Sequence, residues 1–225
     1  METTPVCLGF IMDGNRRWAK EQGLTTAEGH TRGMEVFLDC VRFVRDAGIP
    51  HAVFYAFSTE NWNRSPEEVS HLMNIFLSLI IKMKQTAEEE RVRVRFIGAR
   101  KDFSPELQKE MNELEHISLA YGATTVWVAL SYGGRAEIVA AVNEAVARGA
   151  AVDEQTFESL LWTAELPDPD MIVRTSGEKR LSNFLTWKST YSELHFIEKH
   201  WPALTKADFE DILLQYAKRD RRKGK

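Results

Sequence analysis

Short apolar runs rich in β-branched and aromatic residues alternate along the chain with longer stretches whose apolar positions recur every three to four residues. The short runs, at residues 6–12, 51–57, 92–97, 124–131, 171–174 and 193–197, predict strands. The longer stretches, at 29–47, 66–90, 105–120, 134–148, 153–161 and 206–217, predict helices. In the first of them Val36, Cys40, Phe43, Val44 and Ala47 share one face, which marks a buried stripe. Ser65-Pro66-Glu67-Glu68 and Ser104-Pro105-Glu106 each set a proline in the first turn behind a serine cap. Gly48-Ile49-Pro50 ends the preceding helix. Strands alternating with helices predict an α/β fold, a mainly parallel six-stranded sheet flanked by helices. No repeat, low-complexity linker or composition shift interrupts the pattern, so one domain is expected over 1–225, ending in a basic tail at 218–225 (KRDRRKGK).

Composition narrows the class. Hydrophobic residues at 44% and charged residues at 28% are globular values, and 225 residues suffice for one ordinary core. A net charge of −4 argues against a nucleic-acid partner, which calls for a basic face. No apolar run approaches the roughly 20 residues that span a bilayer, and residues 1–5 carry no basic segment of a secretory signal. Cys7 and Cys40 lie inside apolar segments and read as reduced core residues. A soluble, cytoplasmic protein is expected.

In an open parallel sheet, ligands bind beyond the carboxyl ends of the strands. Asp13-Gly14-Asn15-Arg16-Arg17-Trp18 follows the first strand and Ser58-Thr59-Glu60-Asn61-Trp62-Asn63-Arg64 the second. Tyr132-Gly133-Gly134-Arg135 follows the fourth, and Arg174-Thr175-Ser176-Gly177-Glu178-Lys179-Arg180 the fifth. One rim thus gathers Arg16, Arg17, Arg64, Arg135, Arg174, Lys179 and Arg180 in an acidic protein, a pattern suited to more than one phosphate group. Glycines opening helices add backbone N–H groups and the positive end of the helix dipole. Neither a P-loop nor a dinucleotide fingerprint is present, and no nucleophile elbow or zinc spacing exists. Asp13, a carboxylate among cations, should stay ionised and suits Mg²⁺, which takes one or two protein carboxylates and fills its shell with phosphate oxygens and water. Glu193, opening the last strand, is a weaker second candidate. The histidines, His30 and His200 among them, show no ligand spacing and read as surface or satisfied core residues.

The motifs themselves carry a resemblance. IMDGNRRWA (11–19), GH (29–30), YAFSTENWNR (55–64), YGGR (132–135), RTSGEKRLSNFLTW (174–187) and YSELHF (191–196) run in one order through nearly the whole chain. With them the sequence resembles the cis-prenyltransferases, most of all their bacterial undecaprenyl diphosphate synthase branch. The resemblance implies a homodimer that adds isopentenyl diphosphate stepwise, in cis, to an allylic diphosphate, usually farnesyl diphosphate, with Mg²⁺. The product would be undecaprenyl diphosphate, a lipid carrier for cell-wall synthesis, released with at most a peripheral membrane contact. Matched by position, Asp13 would bind Mg²⁺ and help the allylic diphosphate leave, with Glu193 completing the metal site. Gly14, Asn15, Arg16 and Arg17 would cradle that diphosphate beside Trp18 and His30. Ser58, Thr59, Glu60, Asn61, Trp62 and Arg64 would close over the reacting ends, with Asn61 in the family's proton-acceptor position. Arg174, Arg180, Leu181 and Ser182 would hold isopentenyl diphosphate, and Arg222-Lys223-Gly224 would close the site.

The chain also departs from that pattern. Thr26 stands where many relatives carry an arginine four residues before the Gly-His pair, and Arg16 where many carry glycine. Arg16 or Arg32 would then supply the missing charge. Lys179 replaces a frequent histidine and keeps a donor there. A growing hydrocarbon needs an apolar channel, for which 29–47 and 66–90 offer surplus apolar surface, including Leu72, Ile75, Phe76 and Leu79. Trp127 on the fourth strand is expected near the channel wall, where its bulk would favour a short- or medium-chain product. A non-catalytic partner subunit would lack Asp13, Arg174 and Arg180, all present here. A Mg²⁺-dependent phosphohydrolase would want a second carboxylate near Asp13.

Overall fold

The structure, a computed structural model, describes residues 4–122, 124–149 and 151–219. Its centre is one six-stranded sheet in which every recorded pairing is parallel. The strands are β1 (Cys7–Ile11), β2 (His51–Ser58), β3 (Val92–Ile97), β4 (Thr124–Tyr132), β5 (Met171–Arg174) and β6 (Glu193–Phe196), ordered β3-β4-β2-β1-β5-β6. The helices among the described residues are α1 (Asn15–Glu21), α2 (Thr26–Asp46), α3 (Pro66–Glu90), α4 (Pro105–Ser118), α5 (Gly134–Arg148), α6 (Glu154–Glu158) and α7 (Lys206–Ala217). The expected mainly parallel sheet, with helices on its faces, is therefore what the chain builds.

Strand alternation divides the core in two. Leu8 and Phe10 on β1, Ala52 and Phe54 on β2, and Val126, Val128 and Leu130 on β4 join one cluster with the apolar stripes of α2 and α3. Cys7, Ile11, Val53, Trp127 and Ala129 point the other way and pack with Phe184, Leu185 and Leu166. Cys7 and Cys40 are thus buried free thiols in different clusters. No helix among the described residues is long and apolar enough to cross a membrane.

Local chemistry sets the element ends. α2 begins three residues before the expected start because Thr25 and Glu28 form a reciprocal capping box, each side chain taking the other's backbone N–H. Ser65 and Ser104 cap α3 and α4 as expected. The expected helix at 153–161 shortens to α6, which Asp153 caps through the Thr156 N–H at 2.8 Å. α1 was not expected at all. Its seven residues bury only Ala19, so there is no apolar period to detect. The basic tail from residue 220, including Arg222-Lys223-Gly224, lies outside the described residues.

The chain leaves β1 for β2 on one side and later returns to β5 on the other, so the strand order switches at β1. That is where a crevice opens in such sheets. The register aligns Ile11 with Tyr55 on one side and with Arg174 on the other, which brings the ends of β1, β2 and β5 to one level. A register shift in β2 between Tyr55 and Phe57 re-aims the following residues toward the crevice.

Candidate active site

A cavity of about 590 Å³ opens at this switch point. Its deep wall is apolar: Met34 and Phe37 from α2, Leu72, Ile75, Phe76 and Leu79 from α3, Val128 from the sheet, and Trp201. Its mouth is polar, lined by Asp13, Asn15, His30, Ser58, Glu60, Asn61, Arg64, Arg174, Arg180, Ser182 and Asn183.

Asp13 sits just past β1, its backbone fixed by Thr175, whose hydroxyl accepts the Asp13 N–H at 2.9 Å and donates to the Asp13 carbonyl at 2.7 Å. Arg174 Nη2 donates to Asp13 Oδ2 at 2.7 Å, and Arg17 Nη2 lies 3.2 Å from Oδ1. Burial alone would raise the Asp13 pKa, but the hydrogen bond and charge of Arg174, then those of Arg17, outweigh it and hold the carboxyl below its ordinary value. The expectation of an ionised Asp13 therefore holds.

Arg174 is 4% exposed and is the best-fixed cation of the site. Besides Asp13 it donates to the Arg180 carbonyl at 2.6 Å and to Ser182 Oγ at 2.8 Å, while its Nε is buried without a partner. Arg180 lines the mouth and pairs with Glu178, which also takes Arg17 Nη1 at 3.1 Å. On the opposite side Glu68 collects Arg64 at 3.0 Å, Arg16 at 3.7 Å and His30 Nε2 at 3.7 Å. His30 is desolvated and faces Arg64, which together push its pKa down to about 4 against the weaker opposing pull of Glu68. Its Nε2 and the neighbouring Asn15 Oδ1 are buried polar atoms with no hydrogen-bond partner, and both belong to residues lining the cavity. Buried groups of this kind call for a polar ligand.

Other expected residues stand elsewhere. Gly14 is buried beneath the mouth at φ 102, and Trp18, Thr59, Arg16 and Arg17 do not line the cavity, although both arginines reach carboxylates at its edge. Leu181 packs into the second core cluster. Trp62 turns away from the mouth, its ring against Phe57 and its indole N–H donating to Ser131 Oγ at 2.8 Å. Asn61 does line the cavity, but its Oδ1 already accepts the Ser58 N–H at 3.0 Å, so here it is a capping group. Trp127 is corrected: it lies on the opposite face of the sheet from Val128 and belongs to the other core cluster, so it is no part of the channel wall. Arg32 pairs with Glu35 at 2.7 Å on the exposed side of α2.

Glu193 stands apart from Asp13 within one chain. It pairs in register with Met171, which in turn lies level with Leu8, whereas Asp13 lies five residues farther along β1 and past its end. At about 3.3 Å per residue that is some 16 Å, so one chain cannot join these carboxylates on one metal. Glu193 instead meets Arg219 at 3.2 Å. The described residues hold no cluster of three or more metal-type side chains.

Residues that were not singled out for the site complete it. Asn183, at φ 66, donates to Glu60 Oε1 at 2.8 Å across the mouth and accepts the Arg135 N–H at 2.9 Å. Glu68 and Glu178 neutralise the arginines in place. The Ser-Asn pair inside the 174–187 motif was the available signal for Asn183. For Glu68, a first-turn acid reads only as a helix cap.

An anionic mouth-binder with an apolar tail is the ligand shape this crevice accepts. A family model described as putative undecaprenyl diphosphate synthase matches residues 11–224. The chain belongs to that prenyltransferase family. Over 225 residues it is 43% identical to an isoprenyl transferase of Thermotoga maritima, covering 98% of this chain and 97% of that protein. It is likewise 43% identical over 234 residues to an isoprenyl transferase of Thermus thermophilus, with 98% and 89% covered. Among solved structures, lavandulyl diphosphate synthase from Lavandula x intermedia in complex with dimethylallyl diphosphate superposes with a TM-score of 0.95 at 33% identity, covering 99% of both chains. A probable undecaprenyl diphosphate synthase from Campylobacter jejuni gives 0.85 at 27% identity, covering 99% of this chain and 100% of that one. This prenyltransferase is accordingly an enzyme.

Proposed function

We propose that this prenyltransferase condenses isopentenyl diphosphate in cis onto an allylic diphosphate, with farnesyl diphosphate as primer and undecaprenyl diphosphate as product. The observation that carries this reading is the join of a cationic mouth to a deep apolar cavity at the end of β1. In each cycle the allylic C–O bond breaks with its electron pair leaving on diphosphate. The alkene of isopentenyl diphosphate forms the new C–C bond, and the proton lost from the adjacent carbon passes to the departing diphosphate. Asn15, His30, Arg17 and Arg64 bind the allylic diphosphate: His30 Nε2, buried without a hydrogen-bond partner, can donate to a phosphate oxygen as an N–H, and the two arginines supply charge. Arg174, Arg180 and Ser182 bind isopentenyl diphosphate. Ser58 and Asn61 hold the reacting ends between them, and the apolar wall excludes water from the cation that develops.

A single ionised carboxylate beside two phosphate sites fits Mg²⁺, with Asp13 as its protein ligand. When bound, the metal would stabilise charge on the departing diphosphate. A homodimer is part of the same reading, supported by exposed Tyr191 and Leu194 beside and on the edge strand β6 and by exposed Val139, Val142 and Val146 on α5. Product release from the cytoplasm, with at most a peripheral membrane contact, belongs to the same reading.

A short-chain product is the second reading, favoured by the structural similarity to a synthase bound to dimethylallyl diphosphate. Labelled isopentenyl diphosphate, a panel of allylic primers with and without Mg²⁺, and chain-length analysis separate the two. Long cis products made only with metal support the first reading. A product stopping after one addition supports the second, and no incorporation overturns both.

A further inference from the structure

His200 has no part in the chemistry above, and both of its ring nitrogens are engaged. Nδ1 is in hydrogen-bond contact with Ser176 Oγ, and Nε2 lies 3.0 Å from Glu21 Oε1. Glu21 ends α1, the helix that carries Arg17, while Ser176 follows Arg174 and Thr175 in the loop after β5. Three side chains far apart in sequence therefore tie the allylic side of the mouth to the isopentenyl side.

The tie runs directly beneath the Gly14 turn. A Cβ on Gly14 would stand 2.6 Å from His200 Nδ1 and closer still to Ser176 Oγ, and Gly14 is at φ 102 besides. The turn that opens α1 rests on this pair with no room to spare. Ser176 itself is 6% exposed and adopts φ 80, a left-handed conformation that serine rarely takes. Such a conformation persists only where its surroundings over-determine it. Here the Ser176 N–H donates to the Lys199 carbonyl at 2.9 Å, its carbonyl accepts from Arg17 Nη1 at 3.3 Å, and its hydroxyl meets His200. Of these, only the bond to His200 depends on the serine side chain.

We propose that His200, oriented by Glu21, is a positioning residue for the allylic diphosphate. It holds Ser176 in the left-handed conformation that aims its carbonyl at Arg17, and thereby sets Arg17 between Asp13 and Glu178 at the mouth. This rests on the reading of Arg17 as an allylic-diphosphate ligand.

The test is a double-mutant cycle read in KM for farnesyl diphosphate and for isopentenyl diphosphate, with kcat and melting temperature alongside. His200→Leu is expected to raise the primer KM about tenfold, with kcat and the isopentenyl KM within about twofold, the pattern of lost binding rather than lost chemistry. His200→Asn, whose amide oxygen can accept the same hydroxyl, should bring the primer KM back to within about threefold of wild type. Glycine adopts φ 80 unaided, so Ser176→Gly removes the need for His200, and His200→Leu added to Ser176→Gly should cost less than about twofold more. Glu21→Ala, a change at an exposed helix end, should raise the primer KM about threefold in the wild-type background and not in the Ser176→Gly background, which keeps the test open if His200→Leu does not fold. Equal penalties in both backgrounds, or no penalty in either, overturn the proposal. Arg17→Ala separates the underlying reading: an unchanged primer KM there shows that the diphosphate assignment, not the tie, has failed.

Discussion

Asp13 and Arg174 face each other across the ends of adjacent strands, Oδ2 to Nη2 at 2.7 Å. The carboxylate is half-buried and the guanidinium almost wholly so; each fixes the direction of the other, and Arg174 holds the Asp13 carboxyl below its ordinary value. Asp13→Asn keeps the shape and an acceptor for Arg174 but removes the charge that would hold Mg²⁺. Turnover should fall by on the order of 10²–10³ or more, with far-UV circular dichroism unchanged. Activity near wild type would remove Asp13 from the chemistry. The pairing also has a pH signature. Because the folded-state pKa of Asp13 is lowered, its ionised form stabilises the fold above the ordinary carboxylate value, and that stability is lost as pH falls through the lowered one. Urea midpoints measured from pH 5 down to about 2 should fall less steeply in Asp13→Asn than in wild type.

His30 works in the opposite direction. With its pKa pushed down to about 4 from 6.5, it is neutral at neutral pH while the unfolded histidine takes up a proton below 6.5. Between these values the unfolded state binds more protons, so stability rises with pH across that window. The His30 imidazole resonances should titrate near 4 in the free enzyme, and added diphosphate should move them upward by giving the ring an anionic partner. Titration at 6.5 with no response to diphosphate would contradict its placement at the mouth.

Chain length depends on which side chains wall the cavity. Val128 and Trp127 are neighbours on β4, yet only Val128 faces the cavity between the sheet, α2 and α3. Val128→Trp should shorten the products by filling the apolar space, while Trp127→Ala should leave their length unchanged and lower the melting temperature. Truncating a buried large aromatic costs about 3–5 kcal/mol. The opposite pattern would place the channel on the other face of the sheet.

Much of this architecture was legible in the residues because the signals were local. Pro66 and Pro105 behind serine caps, the β-branched run at 92–97 and the cluster of arginines after the strands each report their own surroundings. What was missed depends on geometry that no local pattern carries. The side of the sheet taken by Trp127 follows from strand phase, where one residue reverses the face. How far Glu193 lies from Asp13 follows from register, since its strand enters the sheet with that residue at the far end from Asp13. Glu68, Glu178 and Asn183 act by meeting arginines from other elements. α1 is too short, with one buried residue, to display a period.

At the Thr26 departure the two candidate cations stand in different places. Thr26 opens α2 on an exposed surface, and Arg32, one of the two cations expected to compensate, is turned outward to Glu35. Arg16 instead joins Arg64 and His30 on Glu68, beside the mouth. Glu68 holds this cluster while a diphosphate, carrying two or more negative charges, would take over its partners. Each charge-assisted hydrogen bond contributes roughly 1.5–3 kcal/mol, so losing one such bond weakens binding by about 10- to 150-fold. Arg16 is mostly exposed, which puts it at the lower end of that range. Arg16→Gly should therefore raise the primer KM by about tenfold, Arg32→Ala by less than about twofold, and Thr26→Arg should lower it by less than about threefold. Measuring the primer KM in the three variants decides the matter. A large gain from Thr26→Arg with no loss from Arg16→Gly would show that the charge is not replaced, and that the primer is held chiefly through its hydrocarbon in the apolar cavity.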